Sequence, residues 1–153
     1  MTRLFKFYLQ EKLAEPKLEN VNHIKEFLDL GLPKDKCLIM SSGVMALFGI
    51  RKNRDLDVVV TKDVFNKLKN NKKLIYSHRR LSGNPSYQTL DHNVELYSTM
   101  WPFKLSVERY LKMAIVVKGI RFLPLRKVIK WKKKLNRHKD REDIQLIQRI
   151  VRG

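Results

Sequence analysis

The sequence predicts an α/β chain of the α+β kind, a mixed β-sheet with helices ahead of it and two helices behind. Three observations carry this. The 153 residues suit one hydrophobic core. Short apolar or alternating runs, bounded by turn residues, fill the middle of the chain, while apolar residues at both ends recur at helical spacing. A hydrophobic content of 43% with five prolines, six glycines and no repeat fits an ordinary globular chain rather than a disordered or solenoid one. The expected organisation is a single domain over 1–153, with N-terminal helices in 1–31, a core in 37–98, and a hairpin and C-terminal helices in 104–153.

Residues 2–15 read as an amphipathic helix ending near Pro16, with Leu4, Phe5, Tyr8, Leu9 and Leu13 in one stripe. Packing on the domain suits this stripe better than lying on a membrane surface. "NVNHIKEFLDLG" reads as a second helix closed by Gly31. "CLIM" is a short strand whose single Cys37 excludes a disulfide framework and fits a reducing compartment. "SSGVMALFGI" reads as a tight turn feeding a short helix, and "DLDVVVT" as the second strand. Thr61 can cap a helix over "KDVFNKLKNN". "KLIYSHRRL", "SYQTL" and "NVELYS" then read as three strands parted by "SGNP" and "DHN". "MAIVVKGIRFLPL" resembles a hairpin turning at Lys118-Gly119. Two helices follow, "LRKVIKWKKKL" and "DREDIQLIQRIV", divided by a basic corner at residues 136–139, with Asp140 placed as a cap and Asp143 three residues on.

With 33 Lys+Arg against 15 Asp+Glu, the formal charge of +18 favours polyanionic partners: nucleic acid first, nucleotide phosphates second, an anionic membrane third. No run approaches the roughly 20 apolar residues of a membrane span. The N-terminal stretch lacks the apolar block of a signal peptide, so a cytoplasmic location in a cell or an infected host is expected.

In so basic a chain, Asp55 and Asp57 stand out. Residues two apart on a strand share a face, so these carboxylates project together about 6.6 Å apart along the strand. They repel by roughly 2–3 kcal/mol at an effective dielectric near 20, and something positive must offset this. Arg51, Lys52 and Arg54 supply one answer as surface ion pairs. A metal ion is another. "NVELY" places Glu95 between Val94 and Leu96, and if its strand neighbours "DLDVVV", then Asp55, Asp57 and Glu95 form an oxygen-only cluster. Such clusters suit Mg²⁺ or Mn²⁺, two of which can bridge a triphosphate and an attacking oxygen.

"SSGVMALFGIRKNRDLDVVV", followed by "VEL" at 94–96, resembles the signature of the nucleotidyltransferase superfamily, whose fold is shared by family X DNA polymerases, CCA-adding enzymes and small antibiotic and toxin nucleotidyltransferases. "LPLRKVIKWKKKLNRHKDREDIQLI" is similar to the closing helices of the smaller toxin-like members. The matches cover residues 37–60, 93–97 and 123–147. The resemblance implies a mixed-sheet nucleotidyltransferase core in which Ser42 and Gly43 cradle the β- and γ-phosphates of an NTP. It implies that Asp55 and Asp57 ligate two metal ions, and that Glu95 completes the metal site and helps activate the acceptor hydroxyl. Arg51 and Lys139 join the nucleotide-binding set. One departure is Ser41, where relatives usually place a glycine.

"KVIKWKKKLNRHK" gathers Lys130, Lys133, Lys134 and Arg137 into a patch suited to phosphate backbones, which Arg79, Arg80 and Tyr87 can extend. Trp131 either stacks on a base or anchors its helix, the anchor being favoured. His23, His78, His92 and His138 lack zinc-ligand spacing. The leading expectation is a metal-dependent nucleotidyltransferase transferring a nucleoside monophosphate to a hydroxyl, with RNA preferred over DNA as acceptor and no membrane partner. Alternatives are an inactive nucleic-acid-binding module of the same fold, a small-molecule enzyme of the antibiotic-modifying type, and, lowest, a minimal DNA polymerase. Toxin-like relatives often work beside an antidote protein, but nothing in these residues shows one.

Overall fold

The computed structural model describes residue 3 and residues 12–78, 84–103 and 105–153. Most of the helix expected over 2–15, and Arg79 and Arg80, lie outside the described residues.

After a 3₁₀ turn at Leu18–Asn20, helix α1 spans Ile24–Asp29. It ends with Gly31 at φ 68°, the left-handed conformation glycine adopts without a Cβ penalty. Strand β1 is Cys37–Ile39, α2 is Ser42–Leu47, β2 is Leu56–Val60 and α3 is Lys62–Lys67. Thr61 sits in extended backbone at the start of α3, but its hydroxyl makes no capping bond. Strands β3 (Leu74–His78), β4 (Pro85–Thr89) and β5 (Val94–Tyr97) follow.

Helix α4, Val107–Lys112, is one the sequence reading did not foresee. It is six residues long and buries only Val107 and Tyr110, too short a pattern to stand out. Strands β6 (Ile115–Val117) and β7 (Ile120–Phe122) form the expected hairpin, with Lys118 and Gly119 both at positive φ, as a two-residue type I′ turn requires.

Helices α5 (Leu125–Leu135) and α6 (His138–Arg152) close the described chain. Asn136, at φ 50°, terminates α5. Helix α6 begins earlier than expected: Arg137 holds the capping position, and Asp140, three residues in, reaches back to the Arg137 N–H at 3.1 Å. The capping box is therefore shifted by three residues from the one read in the sequence, which frees Asp143 for another task.

The strands form a mixed sheet in the order β3-β4-β5-β2-β1-β7-β6, in which β1–β7 and β2–β5 are parallel. With the helices around it, the sheet makes the α+β class expected from the sequence. The central strands are buried on both faces: Leu38, Ile39, Leu56, Val58, Val60 and Leu96 are all inaccessible. Cys37 is a core residue there, and burial pushes its thiol up to about 12. Among the described residues, no helix is long and apolar enough to cross a membrane.

Candidate active site

A cavity of about 660 Å³ opens where the β1–α2 turn, the start of β2 and the two C-terminal helices meet. Its wall includes Ser41, Ser42, Arg54, Asp55, Asp57 and Lys139. The volume lies in the range of small-molecule sites.

The approach to β2 is clamped before the carboxylates begin. Asn53, buried, exchanges four hydrogen bonds with its surroundings. Its Oδ1 accepts from the Asn22 N–H at 2.8 Å, its carbonyl accepts from the Asn22 side chain at 2.9 Å, and its Nδ2 donates to the carbonyls of Asn22 and Asp55, both at 3.0 Å. His23 Nε2 bonds the Arg54 carbonyl at 2.9 Å. The segment carrying Asp55 is therefore anchored to the residues ahead of α1.

Asp57 pairs in register with Glu95 on parallel strands β2 and β5, and Val59 pairs with Tyr97. Paired residues project to one face, so Asp57, Glu95 and Tyr97 rise from the same side, while Asp55, in the bend just ahead of β2, lines the cavity with Asp57. Adjacency of the two strands, on which the three-carboxylate expectation depended, is thus present. Glu95, 4% exposed, has both oxygens engaged: one accepts from Ser86 Oγ at 2.8 Å and from Gln88 Nε2 at 2.6 Å, the other from the Tyr97 hydroxyl. Among the described residues, no three His, Cys, Asp or Glu side chains converge closely enough to hold a metal ion. Asp55, Asp57, Asp91 and Asp143 line the cavity while Glu95, the expected third ligand, does not; Asp143 is taken by Lys132 and Arg51, and Asp55 and Asp57 are the oxygen donors of the expected set that could hold Mg²⁺ or Mn²⁺.

The β1–α2 turn brings Ser42 to the cavity and Gly43 to the core. A Cβ on Gly43 would meet Ile39 Cγ2 at 2.6 Å and Leu56 Cδ1 at 3.0 Å, so glycine is needed here for helix-on-sheet packing. The Gly43 N–H donates to the Met40 carbonyl at 3.2 Å, while the N–H groups of Val44 and Met45 both donate to the Ser41 carbonyl, at 3.1 and 3.3 Å. Ser41 has φ 53° and ψ −123°, a region essentially reserved for glycine. This is the position at which the resemblance expected glycine, and the backbone there retains a conformation that serine adopts only with strain.

Behind the turn lies a buried ionic cluster that the sequence reading missed. Lys132, 2% exposed, places Nζ 2.8 Å from Asp143, 3.6 Å from Asp140 and 3.4 Å from Ser41 Oγ. Arg51 grips Asp143 through two bonds, Nε at 2.7 Å and Nη2 at 2.9 Å. Arg137 does the same to Asp140, at 2.7 and 3.1 Å. Burial works against ionising Asp140, yet hydrogen bonds from Arg137 and the charges of Arg137 and Lys132 hold its pKa below the ordinary value. Asp143 is likewise held down against burial by Arg51 and Lys132. Hydrogen bonding to Asp143, opposed by desolvation and aided by the charges of Asp143 and Asp55, raises the pKa of Arg51. Arg51 is thus committed to Asp143 while still lining the cavity.

The signal for Lys132 was present in the sequence. Leu125, Val128 and Ile129 are the buried stripe of α5, and Lys132 continues it at i+7 and i+4. Burial of each of those three side chains contributes about 1.5–3 kcal/mol. Together they outweigh the several kcal/mol that a desolvated ammonium costs, once two carboxylates offset most of it. Lys130, Lys133, Lys134 and Arg137 are exposed, as a phosphate-binding patch needs, and Lys139 is exposed at the cavity wall. Trp131 packs partly against the core and donates Nε1–H to the Trp101 carbonyl at 2.9 Å, which favours the anchoring role.

The chain matches no protein-family model, no curated protein and no solved structure.

Proposed function

We propose that the chain is a metal-dependent nucleotidyltransferase that moves a nucleoside monophosphate from an NTP to a hydroxyl, with RNA as acceptor and pyrophosphate as product. The observation that supports this best is the in-register pair Asp57 and Glu95, with Asp55 beside them, next to a strained small-residue turn on a cavity of nucleotide size. Asp55 and Asp57 would hold Mg²⁺ or Mn²⁺, which supplies charge neutralisation for the triphosphate and polarises the attacking oxygen. Ser42 offers its hydroxyl at the wall, and the exposed cations Arg54 and Lys139 offset phosphate charge there. The bond from acceptor oxygen to the α-phosphorus forms, the bond to the bridging oxygen of the β-phosphate breaks, and pyrophosphate leaves with that electron pair. The acceptor's proton passes to a carboxylate oxygen of Asp57 on the cavity wall. A basic surface of +18 steers a polyanionic acceptor better than a cationic drug.

The test is incubation with each radiolabelled NTP, Mg²⁺ and total RNA, followed by a gel showing which species gains label. Asp57→Asn should abolish labelling while leaving the melting temperature near that of the parent; equal labelling by the variant would overturn the reading. A second reading, a nucleic-acid-binding module without turnover, is favoured by the hydrogen bonds that occupy both Glu95 oxygens. It predicts salt-dependent RNA binding, indifferent to Mg²⁺ and to Asp55→Asn, with no label transferred.

A further inference from the structure

Trp101 is 50% exposed and stands on the wall of the same cavity as Asp55 and Asp57. Of the large apolar side chains exposed among the described residues, Trp101 is the one that lines the cavity, which places an open aromatic ring beside its polar wall. The residue is also held in place. Its carbonyl accepts the Trp131 indole N–H at 2.9 Å, and Trp131 is itself packed against the core on α5. Trp131 and Leu135, four residues apart on one helix face, line the cavity with Trp101, so part of the wall is aromatic and apolar. Strand β2 supplies the carboxylates, and Arg54 and Lys139 supply exposed positive charge.

A nucleoside triphosphate has the matching division: a flat π-face at one end and a polyanion at the other. The structure assigns to Trp101 the role of base-stacking residue, taking the nucleobase of the donor NTP while the phosphates face β2 and Lys139. This rests on the nucleotidyltransferase reading and adds the subsite that reading lacks. Every base offers a π-face, so a stacking platform of this kind holds all four NTPs with little discrimination.

The experiment titrates the full chain, with Mg²⁺ present, with ATP, CTP, inorganic tripolyphosphate and a short single-stranded RNA, following tryptophan fluorescence and heat of binding. Both NTPs should quench fluorescence, and tripolyphosphate should bind without quenching. Trp101→Leu, which keeps apolar bulk without a π-face, should weaken NTP binding roughly 5- to 100-fold. It should leave tripolyphosphate affinity unchanged, which also shows that the site is intact. Trp101→Phe should keep NTP affinity within a few-fold while losing most of the quench. Unchanged NTP affinity in Trp101→Leu sinks the stacking assignment alone, as does quenching by RNA but not by NTP. A parent chain that binds no NTP sinks both this assignment and the transferase reading beneath it.

Discussion

Lys132 Nζ lies 2.8 Å from an Asp143 oxygen at a point where the lysine is 2% exposed, and the same nitrogen reaches Ser41 Oγ at 3.4 Å. One buried cation thus ties α5 and α6 to the turn that opens the cavity. Removing one member of such a network leaves its partners charged and desolvated. Lys132→Met should cost about 3–5 kcal/mol in urea unfolding. A loss below about 1 kcal/mol would show that Arg51 and Arg137 satisfy the two aspartates without it.

The acid limb of stability follows from the same cluster. Asp140 and Asp143 have folded-state pKa values below their unfolded ones, so their contribution is present above the unfolded value of about 3.9 and is lost as pH falls through the folded values below it. Between pH 7 and pH 5 the urea midpoint should change little on their account. Below pH 4 it should drop, and the gap between the parent and an Asp140→Asn, Asp143→Asn double variant should narrow. A gap that stays constant to pH 2.5 would contradict the pairing.

Ser41 offers a gain. At φ 53° and ψ −123° a serine is strained by roughly 1–3 kcal/mol, and glycine is not. Both variants also lose the 3.4 Å bond from Lys132, so Ser41→Gly should raise stability by less than about 1 kcal/mol, net of that bond and of the entropy glycine brings to the unfolded chain, whereas Ser41→Ala, which keeps the strain, should lower it. Thermal melting separates the two variants.

Gly43→Ala should do the opposite. Its new methyl meets Ile39 Cγ2 at 2.6 Å, and that side chain is β-branched and buried between strands, with little room to turn. Overpacking of this kind costs about 1–3 kcal/mol, visible as a lowered melting temperature.

The exposed basic face predicts a change in salt dependence rather than in stability. Replacing Lys130, Lys133 and Lys134 by Gln should leave melting unchanged. It should reduce the slope of log affinity for single-stranded RNA against log salt by about 2, from roughly 0.7 per phosphate contact. An unaltered slope would place RNA elsewhere.

The sheet was readable because its strands carry plain alternation or continuous apolar runs, and because turn chemistry punctuates them: Lys118-Gly119 adopts the two positive φ angles its hairpin needs. The Asp57 and Glu95 register was stated only as a condition, since alternation shows which face each acid takes and not which strand lies beside it. What local pattern concealed was long-range pairing. Lys132 looks like one more lysine in a basic run until its helical phase is compared with Leu125, Val128 and Ile129. Asp143 was read as part of a cap because its partner Arg51 lies 92 residues away. Gly43 was read as room for a phosphate, whereas the contacts that require it come from Ile39 and Leu56. Trp101 sits in a stretch with no periodicity to mark it.

Parallel pairing of β1 with β7, together with the grip of Asp143 on Arg51, has a bearing on synthesis. On the ribosome the β1–α2 turn emerges long before its stabilising partners, which come from the last third of the chain. An emerging polypeptide therefore exposes the edge of β1 until β7 arrives, and an unanswered Arg51 until α6 is released. Closure of the cavity waits until α6 has emerged, and chaperones that shield β1 in the interval should raise the yield of folded product.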